Sequence, residues 1–456
     1  PVSLYAYAEF LATWQGLDSR RRDLTTTLRQ LRGLAVAGLT WERDVLPARL
    51  PEFEVGELAE RCQAGEVVWT AEGGKDARRA RVRFFLRGEG ELFHGRAPDD
   101  ETLGELSEEA RKVFGFLTEE GAALLPDVAE GTGLPRMGAQ QALVELALAG
   151  LATNDTLAAL HAVLGYEPER AARPGLRSSL EAQLAERLGS RAERPRALTP
   201  LRWREARRKA REVVAGRLAS ERALARSEAH AGAGSAWIGR WSLVHRTSVL
   251  GRPSPPEELA QRRARLLLER WGVVSKACLE RESAQLSWES LYPVLARLEV
   301  RGEVRRGYFV EGLPGAQFAL PQAVEQLRAV AGSDDPAQPR VLSAVDPAQL
   351  FGSDDWGSRL RFTRLPSAAV ASVRGEPVAV MTLDSDESSA AVVALDDHPA
   401  LREALRALAN WWVDRTNAHL KVDRWQGADA IGTEGMAILA EAGFVREGSA
   451  MLWGGR

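Results

Sequence analysis

Two cysteines, Cys62 and Cys278, are all that the 456 residues contain, and they lie far apart. That excludes a disulfide framework and any cysteine-rich zinc site, and fits a reducing compartment. Histidine is scarce too: the six residues (His94, His161, His230, His245, His398 and His419) include no i,i+4 pair and no His-Glu-x-x-His string. No metal site is expected. No apolar run approaches the roughly 20 residues a membrane span needs, and nothing at the N-terminus reads as a signal peptide. The expectation is a soluble, cytoplasmic chain with no membrane partner. An initiator methionine is missing: Pro1-Val2-Ser3-Leu4 enters a helical pattern at once, so the chain is expected to be part of something longer. Charge of one sign is also lacking. The formal net charge is −3, so any nucleic-acid binding has to come from local patches. Finally, there is no Gly-x-x-x-x-Gly-Lys-Ser/Thr. The nearest string, Gly73-Gly74-Lys75, lacks the first glycine and lies between two strand patterns. No acidic Walker B string accompanies it. No ATP-driven motor is expected in this chain.

What is present is tryptophan, 13 residues of it, which favours large buried anchors over disorder. The length exceeds one core and suggests roughly three domains at about 150 residues each. The most telling stretch is 287–321. Leu291, Leu295 and Leu298 recur at i, i+4, i+7 on one helical face, and Gly302 stands where a helix ends. Residues 303–310 then read as a strand–turn–strand with Arg305 and Arg306 beside the turn. Pro293 implies a helix that begins near Ser290, short or bent. The same plan recurs in LAERCQAGEVVW (58–69), LVELALAGLATN (143–154), LARLEVRGEVRR (295–306) and ILAEAGFVRE (438–447). Each is an apolar helix end, a glycine and a strand. Four copies, two with evident hairpins, point to a row of winged helices, the last copy being of another kind.

The expected fold class is α+β: tandem winged-helix domains, then a small β-rich, barrel-like module and a C-terminal α/β unit. The boundaries are a helical or winged-helix unit over 1–50, a winged-helix-like unit over 51–98 and a winged helix over 99–190. A basic linker over 191–236, a winged helix over 237–331 and the β-rich and α/β module over 340–456 follow. Ser107 is expected to cap a helix, and Ser254-Pro255-Pro256-Glu257 to form a capping box. Residues 191–226 hold 12 Lys/Arg against 4 Glu. Such a run is a solvated linker or a nucleic-acid-facing segment.

Three blocks carry a family resemblance: FLATWQGL (10–17) with WERDVLPARLPEFEVGELAERCQAGEVVW (41–69), AGLATNDTLAAL (149–160), and GRWSLV (239–244) with the long block 271–328. AVDPAQLFGSDDW (344–356) and AEAGFVREGSAMLW (440–453) add to it. Together they resemble the C-terminal region of the bacterial large helicase-related proteins, Lhr. The resemblance implies winged helices like those of AlkZ-class DNA glycosylases, a role in DNA repair near the nucleoid, and self-association. It also implies a helicase core, in the same polypeptide or complex, as partner. ATP and Mg would belong to that core, and no cofactor is expected in this chain.

Under this reading DNA contact falls to Arg305, Arg306 and Tyr308 on the hairpin, since guanidinium forks bind phosphate bidentately. Arg240 and Trp241 form a second pair. Trp288 is a stacking or core residue, and Arg207, Arg208 and Lys209 would add salt-sensitive affinity. AlkZ relatives carry Gln-x-Gln or Gln-x-Asp for base excision. Here Gln140-Gln141 are adjacent and Gln15-Gly16-Leu17-Asp18 is one residue too long; Asp155 is a conceivable catalytic carboxylate, but Asn and Asp after a strand more often make a turn. No catalytic residue can be named from sequence. The functional classes are a DNA-binding module, an AlkZ-like glycosylase acting on damaged or uracil bases, and an oligomerisation scaffold.

Overall fold

The computed structural model describes residues 1–19, 22–74, 76–98, 100–165, 237–282, 286–333, 338–352, 357–384, 389–416 and 419–454. The basic stretch 191–236, with Arg207, Arg208 and Lys209, lies outside the described residues. Helix α1 (Leu4–Trp14) is capped by Ser3, whose Oγ accepts from Ala6 N at 3.1 Å. Asp23 caps α2 (Leu24–Leu31) in the same way at 2.7 Å. Then come β1 (Val36–Ala37), a π-helical turn (Trp41–Val45), α3 (Val55–Gln63), β2 (Val67–Glu72) and β3 (Arg81–Leu86). The three strands form one antiparallel sheet in the order β1-β3-β2, with Val36 opposite Val82. Residues 23–86 are therefore one winged helix, not two units split at residue 50. The split failed because a two-residue strand leaves no periodic signal.

The second winged helix contains α4 (Asp100–Glu105), α5 (Glu108–Glu120), β4 (Ala122–Ala123), α6 (Leu125–Thr132), α7 (Arg136–Leu148), β5 (Ala152–Asn154) and α8 (Leu157–Gly165). Ser107 caps α5 as expected, accepting from Ala110 N at 3.1 Å. Its sheet is completed from beyond the undescribed segment by β6 (Trp241–Leu243), which lies between β4 and β5. The boundary at residue 237 thus cuts a sheet. These two units share a core: Trp69 meets Trp241 edge-on at 6.2 Å, and Thr153 donates to Trp69 O at 2.6 Å.

The third unit runs through α9 (Thr247–Leu250), α10 (Pro256–Trp271), β7 (Val273–Val274), α11 (Lys276–Leu279), α12 (Trp288–Val300), β8 (Arg305–Gly307), β9 (Gln317–Ala319) and α13 (Pro321–Ala331). Its sheet order is β7-β9-β8. The strand returning from the wing is Gln317–Ala319, so Tyr308 and its neighbours form the wing loop and not a second strand. Gln317 explains why. Its buried Oε1 accepts from Phe309 N and Val310 N at 2.7 and 2.9 Å, and its Nε2 donates to Val310 O and Leu313 O, pinning the loop. Helix α12 starts at Trp288, two residues earlier than expected. Pro293 lies on its exposed face, where the carbonyl left without a donor meets water. The capping box at Ser254 does not form either: Pro255 is the cap residue, and Ser254 N donates to the Glu91 carboxylate at 3.1 Å.

Helix α1 belongs to this third unit. Tyr7 OH donates to Trp271 O and Val273 O at 3.1 and 3.0 Å, and Trp14 Nε1 donates to Glu269 O at 2.8 Å. Periodicity identified its apolar face but had no means of showing which unit that face would meet.

The last module is one sheet: β10 (Arg340–Ser343), β11 (Ala368–Val373), β12 (Glu376–Leu383), β13 (Ala390–Ala394), β14 (Lys421–Trp425), β15 (Ala428–Asp429), β16 (Phe444–Glu447) and β17 (Ala450–Trp453). The order is β10-β11-β12-β13-β14-β17-β16, with β15 paired to β14. Helix α14 (Leu401–Thr416) connects the parallel pair β13 and β14, and α15 (Glu434–Ala442) precedes β16. The expected barrel-like module and α/β unit are thus one open sheet, with no barrel closure among the described residues. Period-2 alternation buries both faces. Ala369, Ala371, Ala379 and Met381 pack towards α14, while Ala368, Val370 and Val380 pack into the core of α1 and the third unit. The repeated glycines behave as expected: Gly65, Gly150, Gly302 and Gly443 all have positive φ, each ending a helix before a strand.

Candidate nucleic-acid interface

The wing of the third unit presents Arg305, Arg306 and Tyr308 to solvent, Tyr308 at 75% exposure. The Arg305 side chain makes no hydrogen bond or ion pair among the described residues. Arg306 is tied to α12: its Nη1 donates to Tyr292 OH at 3.3 Å and its Nε lies 3.2 Å from Glu299. Both neighbours push its guanidinium pKa up, Tyr292 first. Trp288 is half-buried against Tyr292 and Phe318, with ring centroids 6.0 and 6.3 Å away, which makes it a support for the wing.

The second predicted pair divides. Arg240 is exposed, in a cleft of about 410 Å³ that it shares with Arg87, Arg246 and Asp155. Trp241 has 0% exposure between Trp69 and Trp237, so it is core and no stacking surface. Asp155 accepts the Arg240 backbone N–H at 2.7 Å, a link to a segment 85 residues away, while the local turn bond is made by Asn154, whose Oδ1 accepts from Thr156 N at 2.8 Å. Gln15 is likewise structural. Its Oε1 accepts from Arg49 at 3.1 Å and its Nε2 donates to Arg270 O at 3.3 Å.

A larger concavity, of about 610 Å³, opens where the first unit, the third unit and the C-terminal sheet module meet. Residues 34–37 of β1 and its approach give one side, with Arg79 and Arg81. Trp271, Glu280 and Arg281 come from the third unit, and Val345, Pro347 and residues 364–366 from the sheet module. Three of its arginines are fixed by carbonyls. Arg81 donates to Ala35 O at 2.6 and 3.0 Å, Arg364 to Ala344 O and Asp346 O at 2.8 and 3.1 Å, and Arg281 to Gln349 O and Leu350 O. Arg79 stands at 86% exposure of its side chain, 3.5 Å from Asp76. Glu280 is exposed, and its carboxylate makes no hydrogen bond or ion pair among the described residues. Underneath, Glu282 holds Trp271 Nε1 at 2.7 Å and pairs with the buried Arg270. Four guanidiniums against one carboxylate make this a positive, partly apolar cleft. Sequence reasoning missed it because its residues come from six separate stretches with no shared spacing.

Two family models match: residues 2–87 and 253–339 each fit a model described as large helicase-related protein, winged-helix domain. The chain carries winged-helix domains of the Lhr family. It is 31% identical over 370 residues to the Lhr helicase/probable uracil glycosylase of Mycolicibacterium smegmatis, covering 77% of this chain and 21% of that protein. With the Lhr helicase/uracil glycosylase of Escherichia coli K12 it shares 25% identity over 384 residues, 82% of this chain and 22% of the relative. The chain thus spans about a fifth of the length of these curated Lhr relatives. Among solved structures, the Streptomyces sahachiroi DNA glycosylase AlkZ matches 93% of this chain and 100% of its own, at 13% identity and a TM-score of 0.49. Both Lhr models fall on units already defined by their sheets, and the first includes α1 although that helix packs on the third unit. No group of three or more metal-ligating side chains occurs among the described residues. No helix among them is long and apolar enough to cross a membrane.

Proposed function

We propose that this chain is a DNA-binding portion of an Lhr-type repair protein, one that engages DNA along the exposed wing and the arginine-lined cleft. The observation that carries the reading is the cleft itself. Winged helices ordinarily offer a helix and a wing, whereas here two of them and a sheet enclose a positively lined concavity. Fixed guanidiniums suit phosphate, because their forks are already oriented and little side-chain freedom remains to be lost. The helicase core of an Lhr protein is its proposed partner, and self-association is a further part of the proposal.

A second reading is base excision. A cleft of about 610 Å³ falls within the range of about 300–1,000 Å³ typical of small-ligand sites. An enzyme acting on a base must draw it from the stack into such a pocket. The Lhr relatives carry "uracil glycosylase" in their names, which favours uracil as the first base to try. The experiment is fluorescence anisotropy of the purified chain with plain and uracil-containing duplexes, followed by alkali treatment of each. Binding to both is expected, with alkali-sensitive breaks at uracil. Failure to bind either duplex at low salt would remove the first reading. Binding without breaks across a broad lesion panel would remove the second.

A further inference from the structure

In the third unit the helix that would read DNA is poorly equipped to do so. Helix α12 exposes Glu289, Ser290, Pro293, Arg297 and Val300. Its exposed guanidinium, Arg297, is paired with Glu257 at 3.2 Å, and Ser290 Oγ donates to Ser287 O at 2.8 Å. Val300, at 89% exposure, is apolar. No asparagine, glutamine or uncommitted arginine faces out from this helix to bond base edges. The wing beside it is differently built. Gln317 pins the loop from below, and Val2 ties it from the side: Val2 N donates to Phe309 O and Glu311 N to Val2 O, both at 2.8 Å. On this held loop Tyr308 stands 75% exposed, and its hydroxyl makes no hydrogen bond among the described residues. Three residues earlier, the Arg305 guanidinium is also uncommitted.

We propose that the wing is a binding site for an unpaired nucleobase, with Tyr308 stacking on the base and Arg305 holding a neighbouring phosphate. The assignment rests on the DNA-binding reading above and adds the class of DNA: a break in base stacking, not a base sequence. An aromatic ring and a guanidinium together are the usual platform for single-stranded nucleic acid, because every base has a face to stack and every nucleotide a phosphate. Inside an intact duplex both faces of a base are already covered by its neighbours. Tyr308 therefore gains a stacking partner only where a base is bulged, displaced or unpaired. Its exposed neighbours Arg305, Arg306 and Glu311 are charged, which favours a nucleotide over a protein surface, whose buried centre is poor in charge. The ties to Gln317 and Val2 matter because a loop already ordered loses little freedom when the base arrives.

The test uses the whole chain and two labelled DNAs, a fully paired duplex and the same duplex with a single bulged purine. Anisotropy gives the affinity ratio between them for wild type, Tyr308→Ala, Tyr308→Phe and Arg305→Ala. Wild type is expected to prefer the bulged duplex by roughly tenfold, the scale of one base–aromatic stack. Tyr308→Ala should bring the ratio close to one without flattening the salt dependence, since no charge is lost. Tyr308→Phe should keep most of the preference, because stacking needs the ring and not the hydroxyl. Arg305→Ala should weaken binding to both DNAs and flatten the salt dependence. A wild type without preference, or a Tyr308→Ala variant that keeps all of it, would overturn the proposal while duplex binding stands. A variant that keeps the preference but sediments differently from wild type would likewise overturn it, and give the ring to a protein contact. Failure of wild type to bind either DNA would remove the DNA-binding reading, and this site with it.

Discussion

Arg305 and Arg306 are neighbours in sequence but not equivalent in chemistry. The Arg305 guanidinium has no partner among the described residues, whereas that of Arg306 is shared between Glu299 and Tyr292. A phosphate reaching Arg306 has to compete with a carboxylate already 3.2 Å away. Arg305→Ala is therefore expected to weaken duplex binding by about 1.5–3 kcal/mol, the scale of one charge-assisted contact, and Arg306→Ala by less. Titration of both variants against one duplex checks the order, and a larger loss from Arg306→Ala would contradict it. Single residues were also where sequence reasoning was weakest. Trp241 and Trp288 carry the same side chain, yet one is sealed between two tryptophans and the other props up the wing. Residue type sets what a side chain is able to do, and only its neighbours decide between burial and stacking.

At the scale of elements, long periodic segments and glycine stops were readable, and short strands were not. The leucines of α12 and the four left-handed glycines follow from local rules that need no tertiary context. β1, β4 and β7 are two residues each, below what alternation detects, and they fix which units close. The hairpin of β2 and β3 offers an electrostatic test. Behind it lies His94, with its Nε2 3.3 Å from Thr70 Oγ1 and its ring 5.7 Å from Phe85. Burial foremost, with Arg83 and His245, pushes its pKa down to about 3. The folded chain therefore refuses a proton that the unfolded chain accepts below about pH 6.5, so stability is unaffected above that pH and falls as pH drops towards 3. Between pH 7 and pH 5 this one group removes about 2 kcal/mol. His94→Gln should lose less stability than wild type over that interval in urea titrations. Parallel pH profiles for the two proteins would refute this account of His94.

Across the whole molecule, polar contacts hold the first winged helix to the sheet module. Arg49 forks onto Asp346 with both bonds at 2.9 Å, and the two side chains are 0% and 1% exposed. Gln15 joins them from beyond α1, so one buried cluster ties together the start of the chain, the first unit and the turn after β10. Asp44, 2% exposed, meets Arg43 at 3.0 Å and Arg415 at 3.5 Å, and Arg415 lies 3.7 Å over the Trp411 ring. The turn Arg374–Gly375 presses on α1 so closely that a Cβ on Gly375 would stand 2.0 Å from Tyr5 O. Such contacts fix the walls of the cleft. Asp346→Ala leaves a buried guanidinium unpaired and is expected to cost about 3–5 kcal/mol in thermal or urea unfolding. Replacing both partners together, as Arg49→Met with Asp346→Leu, should recover most of that loss. A single replacement as mild as the double would show that the pair does not join the units. The family resemblance covered this region in sequence, but the pairing of residues 297 positions apart could not be seen there.

The account stands or falls on whether DNA contacts the wing and the cleft together. The direct measurement is the salt dependence of duplex binding for wild type and for Arg79→Ala/Arg305→Ala, one substitution in the cleft and one on the wing. Each lost phosphate contact lowers the slope of log K against log salt by about 0.9. The double variant is predicted to bind more weakly with a slope shallower by nearly two such steps. An unchanged slope and affinity would contradict the claim that these two surfaces are where DNA is held.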